Sequence, residues 1–175
     1  MSRPLTRGQF LSIMSAFPSG VAIVTTIDEH GEPRGLTTTA FSSASADPPL
    51  VTVCVDRTSR TLPALLHTRR FVVNLMSSGH DAVCAAFAAK SADKFAAIDW
   101  STTDGGLPVL DEGAAAWAEC ALDRDIVLGD HVLLVGRVER GREPRDACEP
   151  LVYFRRTYGR FHSHEVVPAA GRPLR

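Results

Sequence analysis

Short β-prone runs, each closed by Gly, Pro, Asn or Asp, recur along this chain, and most are not separated by a helix of crossover length. Parallel neighbours need a connection of a dozen or more residues, so strands joined by brief turns pair antiparallel. The runs at 21–27, 35–41, 50–55, 71–75, 114–122, 126–128, 132–138 and 151–154 have this character, with a shorter one at 100–103. Gly31 and the pair Gly129-Asp130 supply turn residues that tolerate positive φ. Helical segments are few. Phe10, Ile13, Met14 and Phe17 fall on one helical stripe before Pro18 and Gly20 break it. Residues 62–67 follow Thr61 as an N-cap and accept Pro63 in the first turn. Residues 81–89 are alanine-rich, with Val83, Cys84 and Phe87 available to pack. The expected fold is mostly β: an antiparallel barrel with two or three helices at its ends.

Length and charge narrow the function classes. At 175 residues the chain suits one domain, expected over 1–161, followed by an aperiodic, mobile tail over 162–175. Nineteen Lys and Arg against twenty Asp and Glu leave a net charge of -1, without the basic excess that nucleic-acid binding demands. The four cysteines form no C-x-x-C pair, and Cys54 and Cys120 lie inside apolar runs, which argues against a disulfide scaffold. Residues 1–9 are polar and carry Arg3 and Arg7, unlike a secretory signal. The longest apolar run, 82–89, is too short to span a bilayer. A soluble, cytoplasmic protein without a membrane or nucleic-acid partner is expected.

Common catalytic signatures are missing: no G-x-G-x-x-G, no P-loop, no G-x-S-x-G elbow and no H-E-x-x-H occur. His162 and His164 make an H-x-H in the tail, and His80 lies four residues before Cys84, but neither pair offers a full ligand set, so no metal is expected. A hydroxyl-rich path stands out instead. Thr37, Thr38, Thr39, Ser42, Ser43 and Ser45 surround Phe41, which is read as a core residue. A second polar stretch, Asp56, Arg57, Thr58, Ser59, Arg60 and Thr61, leads into a helix N-terminus. Free amides and hydroxyls there suit a phosphate, with charge-assisted hydrogen bonds of about 1.5–3 kcal/mol each. A capped helix with a solvated loop is the alternative.

Six blocks in series resemble the flavin reductase family with a split-barrel flavin-binding domain. They are the opening Phe17-Pro18-Ser19-Gly20 with its following strand, Gly35-Leu36-Thr37-Thr38-Thr39-Ala40-Phe41-Ser42-Ser43, Asp47-Pro48-Pro49-Leu50, Phe71-Val72-Val73-Asn74-Leu75, Asp93-Lys94-Phe95 and Gly129-Asp130-His131. The resemblance implies a homodimeric, six-stranded split β-barrel of Greek-key type that uses NADH or NADPH to reduce FMN or FAD. Reduced flavin would pass to a partner monooxygenase component.

For particular residues it implies the following. Thr37, Thr38, Thr39 and Ala40 run beside the isoalloxazine, small enough to let the backbone approach it. Ser42, Ser59 and Thr61, with Arg60, address the ribityl chain and phosphate, and Cys54 and Asp56 complete the lining. Lys94, one of only two lysines with Lys90, and Phe95 lie near the flavin. His131 stands near the nicotinamide as the catalytic residue. Phe161 falls where relatives often carry a tyrosine, which removes a phenol from that position. Hydride transfer between stacked rings needs orientation rather than acid–base groups, so the missing triad is consistent. Two other readings stay open from sequence: an oxidase of the same fold holding FMN tightly, and a non-catalytic barrel binding a phosphate-bearing ligand.

Overall fold

The computed structural model describes residues 3–91, 93–96, 98–144 and 148–161. The expected tail, with His162 and His164, lies outside them. The order of elements is α1 (Arg7–Met14), β1 (Ser19–Gly20), β2 (Ala22–Ile27), β3 (Pro33–Thr38), β4 (Phe41–Ala46), β5 (Pro49–Asp56), α2 (Leu62–Thr68), β6 (Arg70–Met76), α3 (Asp81–Ala88), β7 (Ser101–Thr102), β8 (Pro108–Val109), β9 (Ala114–Leu128), β10 (His131–Arg142), β11 (Leu151–Phe154) and β12 (Thr157–Arg160). Among the described residues, no helix is long and apolar enough to cross a membrane.

Seven strands form the main sheet in the order β3-β2-β6-β9-β10-β5-β4, antiparallel at every step. Its two edges, β3 and β4, are consecutive in the chain, with only Thr39 and Ala40 between them. In a flat sheet six intervals of about 4.8 Å would set those edges roughly 29 Å apart. Two residues reach about 7 Å. The sheet must therefore curl on itself, its two edges linked by the backbone while the hydrogen-bonded ladder stays open between them. The Cys54 N–H donates to Ala40 O at 2.9 Å at this seam. Six strands from β3 to β5 make the expected barrel, split between β3 and β5, and β4 continues the sheet as a seventh.

Alternate residues fill the barrel: Val24, Val53, Val55, Phe71, Val73, Cys120, Leu122, Val132 and Leu134 are buried together, with Leu62 and Leu65 of α2 joining them. Gly136 makes room there, since a Cβ would meet Phe71 Cζ at 2.5 Å. A second cluster packs Cys84 and Phe87 of α3 onto Val21, Ile23, Met76 and Leu110 outside the barrel. Phe41 packs against the interior cluster, as its apolar ring suggests.

Three features differ from the sequence reading. The runs 114–122 and 126–128 are one continuous strand, β9, because Asp123 is taken up as a bulge between Leu122, opposite Gly136, and Arg124, opposite Val135. The expected run 35–41 is divided: β3 ends at Thr38, and Phe41 opens a separate strand, β4, through the hydroxyl-rich segment on the other edge of the sheet. Helix α1 forms with a Thr6–Gln9 capping box, yet it buries none of its residues.

Candidate functional site

The split in the barrel opens into a cavity of about 610 Å³, bounded by β3, the end of β5, the loop into α2, the C-terminal end of α3 and the chain beyond it. That is ordinary for a small-molecule site. Ten expected residues converge on it: Thr37, Thr38, Cys54, Asp56, Ser59, Arg60, Thr61, Lys94, Phe95 and His131. Thr39, Ala40 and Ser42 are not in its lining; all three are exposed at the seam, and the Ser42 hydroxyl bonds the neighbouring Ser43 carbonyl. They sit beyond the seam because the chain leaves β3 at Thr38 to join the other edge.

The loop 56–61 is shaped by its first residue. Asp56 Oδ1 accepts from the Thr58 N–H at 2.7 Å and its hydroxyl at 2.8 Å. These bonds, the backbone one first, hold the Asp56 carboxyl below its ordinary range. Ser59 Oγ accepts from the Thr61 N–H at 3.3 Å, and Arg60 Nη1 reaches across to the Lys90 carbonyl at 3.3 Å. Thr61 does not cap α2. Its φ and ψ are helical and its hydroxyl, almost fully buried, donates to Gly35 O at 2.9 Å instead. A buried backbone acceptor outcompetes a cap that solvent could replace.

Opposite stands β3. The Thr37 hydroxyl donates to Cys84 O of α3 at 2.6 Å, and Lys94 Nζ donates to Phe87 O at 2.6 Å and Gly35 O at 3.1 Å. Burial, with the nearby Arg60 charge second, lowers the Lys94 pKa. Phe95 meets Phe87 edge-on at 4.9 Å and Trp100 at 5.5 Å, which fixes an aromatic wall. Cys54, half-buried on β5, has its thiol pushed up by desolvation.

His131 lines the cavity from the start of β10, paired in register with Asp56. Its Nδ1 lies 2.7 Å from Asp130 Oδ1, so the Nδ1–H donates to that carboxylate and Nε2 is left for a ligand. The same bond holds Asp130 below its ordinary value.

Arg34, Gly35, Phe87 and Lys90 also line the cavity, although sequence reasoning did not select them. Arg34 ion-pairs with Asp28 Oδ2 at 2.6 Å, whereas Arg60, Lys90 and Lys94 form no ion pair among the described residues. Gly35 was visible as a small residue in a β-prone run, but its role depends on a contact from α3 that no local pattern encodes. Cations, hydroxyls, the aromatic rings of Phe87 and Phe95 and a histidine in one cavity suit a phosphate-bearing ligand with a flat aromatic group.

The flavin reductase like domain model matches residues 14–162. The chain is 42% identical over 157 residues, 89% of its length and 82% of the relative's, to a flavin reductase (NADH) of Kitasatospora aureofaciens. It is 36% identical, over 94% of its length and 83% of the relative's, to the reductase subunit of a flavin-dependent monooxygenase of Rhodococcus jostii. Among solved structures, an NADH:FAD oxidoreductase of Streptomyces globisporus in complex with NAD and FAD fragments superposes with a TM-score of 0.84, at 32% identity over 90% of this chain and 94% of that one. Nitrilotriacetate monooxygenase component B of Mycobacterium thermoresistibile gives 0.88, at 34% identity over 95% and 92%. With the split barrel, its cavity and these relatives in agreement, the chain belongs to the flavin reductase family, as an NAD(P)H-dependent enzyme.

Proposed function

We propose that the cavity in the barrel split holds FMN or FAD while NADH or NADPH docks over it at the His131 rim. The observation that carries this is the convergence of Ser59, Arg60 and Lys94 with the Phe87–Phe95 wall in one cavity of suitable size. When bound, the flavin accepts a hydride from the reduced nicotinamide ring and leaves as the reduced carrier.

The protein's own part is placement. Ser59 and Arg60 take the phosphate, with Thr61 fixing the wall behind them. Thr37 and Thr38 lie on the edge of the split. Alternation along a strand turns the Thr37 backbone the same way as Gly35, whose carbonyl faces away from β2 toward the cavity side. Those groups suit the polar edge of an isoalloxazine, and Phe95 suits its apolar edge. His131, oriented by Asp130, uses Nε2 to bind and align the nicotinamide carboxamide. Cys54 and Asp56 shape the floor.

Reduced flavin passes to a monooxygenase component, a reading supported by the reductase-subunit relatives. The enzyme works as a homodimer in the cytoplasm, where nicotinamide nucleotides are abundant. The face available to a second copy is α1: Phe10, Ile13, Met14 and the following Phe17 are each half or more exposed.

Flavin titration by fluorescence quenching tests the site. Ser59→Ala with Arg60→Ala should weaken FMN binding about tenfold or more. Unaltered affinity would move the phosphate elsewhere.

A further inference from the structure

An edge strand leaves every second carbonyl without a partner strand. In β3 that edge borders the split, and Gly35 O is such a carbonyl, on a buried residue. Two side chains from different elements take the place of the missing strand: Thr61 Oγ1 at the start of α2 donates at 2.9 Å, and Lys94 Nζ donates at 3.1 Å. The same ammonium donates to Phe87 O in the last turn of α3 at 2.6 Å, where helix carbonyls lack intrahelical donors. Gly35 leaves no free space either, because a Cβ there would stand 2.5 Å from Phe87 Cε1. Three walls of the cavity thus meet at one backbone carbonyl, and Lys94 spans two of them.

We propose that Lys94 is a positioning residue for flavin reduction: it sets the width of the cavity by tying β3 to the end of α3, and acts on the ligand through those walls rather than by an ionic contact. This rests on the cavity being the flavin site. Two of its three N–H donors are committed to protein carbonyls, and a neutral amine would retain both bonds. Its geometry therefore does not depend on the ligand's charge. The role differs from that of Ser59 and Arg60, whose effect should vanish with the phosphate.

The test compares FMN with riboflavin, which lacks the phosphate, in Lys94→Met, Lys94→Arg, Thr61→Val and the Lys94→Met/Thr61→Val double variant. Lys94→Met should raise the flavin KM about tenfold for both flavins alike, with a smaller change in kcat and a native melting profile. Lys94→Arg, which keeps two donors, should recover most of the loss. The double variant should lose less than the product of the single losses, because both donors serve one carbonyl. A loss for FMN that spares riboflavin, or no loss at all, overturns the proposal.

A separate readout guards the premise. Cys54 lines the cavity, whereas burial pushes the Cys84 and Cys120 thiols up to about 12. Maleimide labelling of Cys54 in the unsubstituted protein, read by peptide mass, should be slowed by FMN and by riboflavin. Protection together with equal losses in Lys94→Met supports both statements. Protection without them overturns the positioning role alone, and no protection overturns the flavin site itself.

Discussion

Glycine at position 35 lets Phe87, Thr61 and Lys94 crowd one backbone unit, and a single methyl group is enough to disturb it. Gly35→Ala would place a carbon 2.5 Å from Phe87 Cε1 and 2.8 Å from Cδ1. The ring has to move, at a cost of about 1–3 kcal/mol typical of overpacking. A lower urea midpoint together with a raised flavin KM is the expected result; a rise in KM with unchanged stability would show that the ring gives way freely.

Lys94 also makes a pH prediction. Its pKa is lowered, first by desolvation and then by Arg60. The unfolded chain therefore holds this proton more tightly than the folded one. Over the alkaline interval between the lowered folded pKa and the ordinary lysine value, this residue's contribution to stability rises with pH. The contribution of Lys94 to flavin affinity should hold over the same interval, because the neutral amine keeps both bonds, to Phe87 O and Gly35 O. Denaturant midpoints and flavin titrations across that range, with and without Lys94→Met, check both statements. At this scale the sequence conveyed residue types but not partners: Lys94 and Thr61 stood out, yet both turn to Gly35, which no pattern marked.

The β11–β12 hairpin shows how an element can carry strain that composition hides. Phe154 pairs with Thr157, so Arg155 and Arg156 form a two-residue turn, and both have positive φ, at 47° and 65°. A left-handed non-glycine residue costs about 1–2 kcal/mol. Arg155 recovers part of it by lying over the Phe154 ring at 5.2 Å, a contact of about 0.5–1 kcal/mol when exposed. Arg155→Asn with Arg156→Gly, the favoured pair for such a turn, should therefore stabilise the protein by about 1 kcal/mol. Thermal unfolding measures it; a lower melting temperature would mean the arginines do more than bridge two strands.

Element boundaries were legible where periodicity and turn chemistry agree. Gly31 at φ 81° closes the β2–β3 hairpin, with Asp28 Oδ1 accepting from His30 and Glu32, as the Asp28 to Pro33 stretch suggests. Strand β9 was misread as two because Asp123-Arg124-Asp125 looks like a loop. Those residues lie on the exposed end of a strand that is paired with β10 from Trp117 to Leu128 apart from the Asp123 bulge, and backbone pairing carries polar side chains at little cost when one face meets water. The paired segment 157–160 was missed for a related reason. Its hairpin turn bears Arg-Arg rather than the glycine that usually signals one.

For the whole molecule, the order of sequence blocks carried more than any of them did locally. A chain passing from one sheet edge to the other in two residues must curl its sheet into a split barrel, but that deduction needs the strand order, which pairs residues far apart in sequence. The apolar stripe on α1 was legible as a helix face, whereas its exposure was not, since sequence cannot say whether a face is covered by its own chain. If a second copy covers it, Phe10→Asp with Ile13→Asp should yield monomers by sedimentation while the fold, by circular dichroism, stays native. Dimers that survive both charges would place the interface elsewhere.

The decisive measurement is the initial rate of dihydronicotinamide consumption, followed by absorbance with FMN, FAD, NADH and NADPH in each pairing, for the unsubstituted enzyme and for His131→Ala. The cavity account predicts rapid turnover with at least one pairing, and in His131→Ala a large fall in kcat with little change in flavin affinity. Unimpaired turnover in that variant would contradict it.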